Sequence, residues 1–380
     1  MSDDEGDQII ETHSGAMNEL LPLLRMLAEG GGSDLHIKAG SAAMIRENGS
    51  LQRVDGPKIT PQQAAYLAFG IVPEDRRERF DQEGEVDFAL SVPRVGRFRV
   101  NVFRQRGSVS MVLRKLRTGG PTFEELGLPP VVQRLSEENR GLVLVTGPTG
   151  CGKTTTLASM IQYINATRPV HIVTIEDPIE VLHADAMGSV NQREIGQDSR
   201  TFLTALRAAL RQDPDVILIG EMRDPETVSA ALQAAETGHL VLSTLHTVDA
   251  TETVNRIVDF FPPHQQHQAR YTLAGCLRGV LCQRLVKGAT GGQVVTVESM
   301  VNTGRIAERI MDPMKTNEIH QVMSEGEYYG MRTFDQALVD MVRKGLVTPD
   351  DAMEAASSPH DFELQLKSAG VVDPNLSFAR

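Results

Sequence analysis

Polar and apolar positions alternate through the first third of the chain and give way to unbroken apolar blocks in its middle, which divides the sequence into two differently built parts. In the first part, SDLHIKAG, AMIRENGSLQRV, VDFALSV, GRFRVNVFRQRG and SVSMVLRKL show the alternation or turn chemistry of an antiparallel sheet, with Asn48 and Gly49 at a hairpin turn. PQQAAYLAFGIV and PEDRRERFDQEG read as helices between them, and NELLPLLRMLAEGGG as an amphipathic helix that stops at Gly30. The expected product is a small α+β domain over residues 17–116, preceded by an acidic, disordered tail over 1–16.

Gly and Pro concentrate in RTGGPTFEELGLPP, so residues 117–130 are expected to be a linker. Beyond it LVLVT, HIVTIED, DVILIGE and HLVLSTLH are near-continuous apolar strands alternating with helical segments, as a parallel sheet covered on both faces requires. All four strands end in polar residues, the edge where open α/β sheets meet ligands. From about Pro262 the pattern reads as mostly helical, including HQQHQARYTLAGCLRGVLCQRLV and FDQALVDMVRKGLV. The second domain is placed at 131–350 and a C-terminal helical extension at 351–380.

Composition narrows the class. No apolar run approaches the roughly 18 residues of a membrane span, and the N-terminus MSDDEGDQ is acidic where a signal peptide is basic, so a cytoplasmic chain is expected. Cys151, Cys276 and Cys282 have no metal-ligand spacing, which argues against a structural zinc. A net charge of -12 disfavours a nucleic-acid surface.

The chemistry centres on Gly147–Thr154, GPTGCGKT, a full phosphate-loop pattern after the strand Leu142–Val145 and before a helix. Gly147, Gly150 and Gly152 let the backbone turn its N–H groups onto phosphate oxygens, Lys153 reaches the outer phosphates, and Thr154 offers a hydroxyl to Mg²⁺. The candidate nucleotide contacts are Gly147, Pro148, Thr149, Gly150, Cys151, Gly152, Lys153, Thr154 and Thr155. At the other strand ends, Glu176 opens an acidic cluster able to polarise water or hold a metal-bound hydration shell. Glu221 follows DVILIG and is the residue expected to orient or deprotonate the attacking water, with Thr154 and Glu221 as the metal-side groups. His239 and His246 stand at opposite ends of one strand, so His246 shares the edge with the acids. Arg207 and Arg211 are expected on one helix face, and Arg97, Arg99, Arg104, Arg106 and Arg114 of the first domain offer further positive charge for a triphosphate.

These residues together resemble the secretion-superfamily ATPases and, more narrowly, the PilT-type retraction ATPases of type IV pili. The resemblance is carried by GPTGCGKTTTLASMIQYIN, the acidic box HIVTIEDPIE, the QRE segment Gln192–Glu194, ALRQDPDVILIGEMRDPET and AAETGHLVLSTLHT, with SDLHIKAG and GMRTFDQALVDMVRKGLV at either end. It implies a RecA-like P-loop ATPase domain preceded by a PAS-like domain, ATP and Mg²⁺ as ligands, and a homohexamer in which hydrolysis rotates one domain on the other. By position it implies Glu221 as the catalytic acid, Glu176 in the acidic box, His239 and His246 in a histidine box, and Arg99 and Arg114 reaching ATP, across a subunit seam. The implied partners are an inner-membrane pilus platform protein and other pilus ATPases, at the inner face of the cytoplasmic membrane. Where that family carries AIRNLIRE this chain has GRIAERIMD, Gly304–Asp312. A pilus-assembly or type II secretion ATPase is the neighbouring reading; a nucleic-acid translocase and a nucleotide-gated module that hardly hydrolyses ATP are the readings of other classes.

Overall fold

The computed structural model describes residues 14–47 and 49–371, which form two units, one up to Arg117 and the other from Thr118. Most of the acidic tail and Asn48 of the hairpin turn lie outside the described residues.

In the first unit, helix α1 (Ser14–Glu29) begins inside the segment read as tail and buries Leu20, Leu24 and Leu27, spaced four and three apart on one face. It is followed by β1 (Asp34–Lys38), β2 (Met44–Glu47), β3 (Ser50–Arg53), α2 (Pro61–Phe69), α3 (Glu74–Glu83), β4 (Glu85–Val92), β5 (Gly96–Gln105) and β6 (Ser108–Lys115). The strands make an antiparallel sheet in the order β3-β2-β1-β6-β5-β4. Its inward set, Ile37, Phe98, Val100, Val102, Met111 and Leu113, packs with α1 and α2 into one core. Thr60 and Gln63 close α2 with a reciprocal capping box, so two of its free N–H groups are satisfied locally.

β7 (Arg117–Thr118) straddles the boundary, and the second unit runs on through α4 (Val131–Ser136), β8 (Gly141–Thr146), α5 (Lys153–Thr167), β9 (His171–Glu176), β10 (Val181–Leu182), β11 (Ser189–Glu194), α6 (Phe202–Ala209), β12 (Val216–Ile219), α7 (Pro225–Glu236) and β13 (Leu240–Leu245). It continues with α8 (Ala250–Asp259), α9 (Pro263–Cys276), β14 (Leu277–Lys287), β15 (Gln293–Val301), α10 (Gly304–Met311), α11 (Ile319–Ser324), α12 (Phe334–Arg343), α13 (Pro349–Ala355) and α14 (Pro359–Ser368). The large sheet has the order β11-β9-β12-β13-β8-β14-β15, parallel except for the edge strand β15. Every residue of β8, β12 and β13 is buried, which is why their sequence lacks polar alternation.

The helical reading beyond Pro262 fails over Leu277–Val301, where two long strands complete the sheet. Buried Val280, Leu281 and Cys282 fit strand or helix spacing equally well, and Gly279, where a Cβ would stand 2.8 Å from Leu135 and 2.9 Å from the Met300 carbonyl, marks the close approach that only a strand makes here. From Thr118 on, the segment read as a linker is counted with the second unit: Phe123 and Leu128 are buried with Val143 and Leu157, and Gly119 N–H donates to the Leu182 carbonyl. Helix α6 ends at Ala209, so Arg211 lies in the following turn and does not share a helix face with Arg207. The C-terminal helices are packed rather than appended, with Phe362 and Leu366 buried against Val286 and Leu338. Among the described residues no helix is long and apolar enough to cross a membrane.

Candidate functional site

The parallel register brings the carboxyl ends of four strands to one edge of the sheet. Thr146 of β8 pairs with Leu245 of β13, Ile219 of β12 with Ser243, and Ile219 again with Ile175 of β9. The phosphate-loop segment, Glu221, His246 and Glu176 therefore emerge side by side, around a cavity of about 520 Å³.

The loop leaves β8 through Gly147 at φ +140°, where an added methyl would collide with the Gln283 carbonyl and stand 2.7 Å from Cys151 Sγ. Gly150 and Gly152 also hold left-handed backbone, at φ +80° and +93°. Gly152 precedes α5 without a side-chain cap, so the first turn keeps N–H groups for an anion. Gly147→Ala is accordingly expected to cost about 1–3 kcal/mol of strain, read as a lower urea midpoint together with weakened nucleotide binding.

Lys153 Nζ lies across the loop, donating to the carbonyls of Gly147 at 2.7 Å and Pro148 at 3.1 Å. Burial lowers its pKa, partly offset by Cys151 and Glu221. Thr149, Thr154 and Thr155 line the cavity, while Cys151 is buried beneath the loop with its thiol pushed up by burial. Thr156 Oγ accepts from buried Gln283 Nε2 at 2.7 Å, which ties the start of α5 to β14.

Glu176 closes β9 and is 8% exposed. Its Oε1 accepts from Thr174 Oγ at 2.6 Å and from Gln192 Nε2 at 3.1 Å. Burial raises its pKa, and these two donors pull the other way. Glu221 sits two residues past β12, its backbone fixed by Thr244 Oγ donating to the Gly220 carbonyl at 2.7 Å. One carboxylate oxygen meets Arg223 Nη2 at 2.7 Å, the other His246 Nε2 at 3.2 Å. Burial opposes ionisation of Glu221, but the Arg223 hydrogen bond and charge, with His246, bring its pKa below the usual value. Two acids on one rim thus have opposite tendencies, the pattern expected where a proton is handed over.

His239 does not join this group. It stands at the opposite end of β13 with its ring Nδ1 3.0 Å from the Ala234 carbonyl and is not among the residues that line the cavity. In the first unit Arg99 and Arg114 face each other across the β5–β6 register; Arg114 pairs with Asp34 at 2.7 Å and Arg99 lies 3.9 Å from Asp87.

Sequence reasoning gave no role to Arg223, which spans Glu221 and, at 4.0 Å, Asp177, although it stood in the quoted GEMRD stretch. It also passed over His183, a cavity-lining residue whose pKa burial pushes down to about 4 and whose Nδ1 has no partner among the described residues. Nothing in the residue pattern separates such a histidine from a loop residue.

The loop fits a triphosphate: a glycine cradle that side chains would fill, open N–H groups on α5, and an ammonium parked on the loop's own carbonyls. Mg²⁺ suits Thr154 and the carboxylates on the same cavity, and needs no cage of protein ligands because phosphates and water fill most of its sphere. Among the described residues there is no cluster of three or more His, Cys, Asp or Glu able to hold a metal unaided.

A RecA-like sheet with this loop, and with acids on the neighbouring strands, defines the P-loop nucleotide-binding class. The chain belongs to the Type II/IV secretion system protein family, which matches residues 13–352. It is 44% identical over 344 residues to the type IV pilus retraction ATPase PilT of Pseudomonas aeruginosa, covering 90% of this chain and 100% of that protein. It is 44% identical to a twitching motility protein of Neisseria gonorrhoeae, covering 83% of this chain and 84% of that one. Among solved structures, the pilus retraction motor PilT with bound ADP superposes with a TM-score of 0.82 at 46% identity, covering 90% of this chain and 98% of that chain.

Proposed function

We propose that this protein is a Mg²⁺-dependent ATPase whose turnover powers retraction of a type IV pilus, and with it twitching motility. The observation that carries the reading is the convergence of Lys153, Glu176, Glu221 and His246 on one cavity in a chain similar along its length to a named retraction ATPase. Lys153 and the loop N–H groups bind the phosphates, Thr154 serves Mg²⁺, and Glu221, ionised and held by Arg223 and His246, orients the water and takes its proton. Bound Mg²⁺ supplies charge that stabilises the departing phosphate oxygens. The functional assembly is a homohexamer, and Arg99 and Arg114 reach the triphosphate of a neighbouring subunit, a reading supported by their side-by-side placement. Each ATP drives rotation of one unit on the other, which requires that nucleotide favour one arrangement over another. The partner is the inner-membrane platform of the pilus, alongside other pilus ATPases, at the cytoplasmic face.

A pilus-assembly or secretion role is the competing reading, favoured by GRIAERIMD in place of AIRNLIRE: the charged residues of α10 are engaged internally, Arg305 with Glu325 at 2.9 Å and Arg309 with Glu318 at 3.3 Å. A deletion strain separates the two. Retraction predicts surplus surface pili, and a strain lacking pili overturns it in favour of assembly. Phosphate release from purified protein is expected to need Mg²⁺ and to be unchanged by added DNA; DNA stimulation would favour a translocase.

A further inference from the structure

The QRE segment resembles its family without having a task in the chemistry above, and its first residue reaches into the site. Gln192 lies on β11 directly opposite Thr174 of β9, and Thr174 is two residues before Glu176, so all three side chains share one face of the sheet. The Gln192 amide is engaged at both ends: Nε2 donates to Glu176 Oε1 at 3.1 Å and to the Val181 carbonyl at 2.8 Å, and Oε1 accepts the His183 N–H at 2.8 Å. Both side-chain donors that reach Glu176, Thr174 and Gln192, converge on the same oxygen. Glu176 Oε2 has no donor among the described residues, and the residue lines the nucleotide cavity. A carboxylate is broadly free about its last torsion, so two donors on one oxygen decide which oxygen is left for solvent.

Resting on the ATPase reading, we propose that Gln192 is a positioning residue for hydrolysis: its amide locks Glu176 so that Oε2 is offered to water at the phosphates, and ties that acid to the Val181–His183 rim of the cavity. Asp177 and Glu180 after β9, His183 after β10, Glu221 and Arg223 after β12, His246 after β13 and Lys153 on α5 line the same cavity as Glu176, with the charge of Glu194 on β11 also acting on it, and among the described residues only Thr174 and Gln192 donate to its carboxylate. Loss of the Gln192 or Thr174 donor frees the last torsion of that carboxylate, so Oε2 is no longer held in one direction.

The test uses the full chain with Mg²⁺ and ATP. Gln192→Met is expected to keep ATP affinity within about twofold and to lower kcat about tenfold, a loss confined to turnover. Thr174→Val, which removes the other donor and leaves the rim bonds alone, is expected to lower kcat the same way, with Thr174→Ser restoring it. Should Gln192→Met fail to fold, the Thr174 pair decides alone. Wild-type kcat in Gln192→Met, or kcat and affinity falling together in both variants, overturns the assignment. Wild-type protein that releases no phosphate overturns the ATPase reading instead.

Discussion

Glu221→Ala is expected to bind ATP with near wild-type affinity and to release phosphate about a hundredfold to a thousandfold more slowly, the range for losing a positioned base. The acid stands at the end of β12, outside the glycine loop, so its removal leaves the phosphate contacts of Lys153 and α5 in place. Its pKa is held below the usual value against burial by Arg223, with help from His246, so it is a carboxylate at neutral pH. Arg223→Ala should therefore leave binding intact and cost less turnover than Glu221→Ala, because the base is loosened rather than lost. Bound-nucleotide stoichiometry and phosphate release on the same preparation check both.

Lys153→Ala is expected to lose binding as well as turnover. The ammonium is the loop's own cation, and losing charge-assisted bonds to two phosphates at about 1.5–3 kcal/mol each weakens nucleotide affinity roughly a hundredfold or more. Lys153→Arg should not restore it, since a planar fork cannot repeat a point charge placed across Gly147 and Pro148. Without ligand the variant's melting temperature should stay near wild type, because the half-buried ammonium is already disfavoured by partial desolvation. Equilibrium titration with a fluorescent ATP analogue separates this outcome from that of Glu221→Ala.

The site was legible wherever its residues are adjacent in sequence or end an apolar run. GPTGCGKT, Glu176, Glu221 and His246 are all of this kind, since each buried parallel strand runs into a glycine, an acid or a histidine at its carboxyl end. Strand length also separated His246 from His239, whereas the family likeness joined them. What escaped depends on pairing between distant segments. Gln192 meets Glu176 because β11 lies beside β9, and Gln283 meets Thr156 and Gly147 because β14 lies beside β8. The helical reading of Leu277–Lys287 hid the second pairing, because its apolar spacing fits both periods. Arg223 was missed for another reason: a charged residue after a strand is commonly solvated, and only the 2.7 Å contact with Glu221 gives it work.

The most direct test of the whole account is an experimental structure of the Glu221→Gln protein with Mg²⁺ and ATP. The triphosphate should lie along Gly147–Thr154 with Lys153 on its outer phosphates, and the substituted amide should face a water in line with the terminal phosphorus. Nucleotide seated away from that loop, or an amide turned from the terminal phosphate in every subunit, would contradict it.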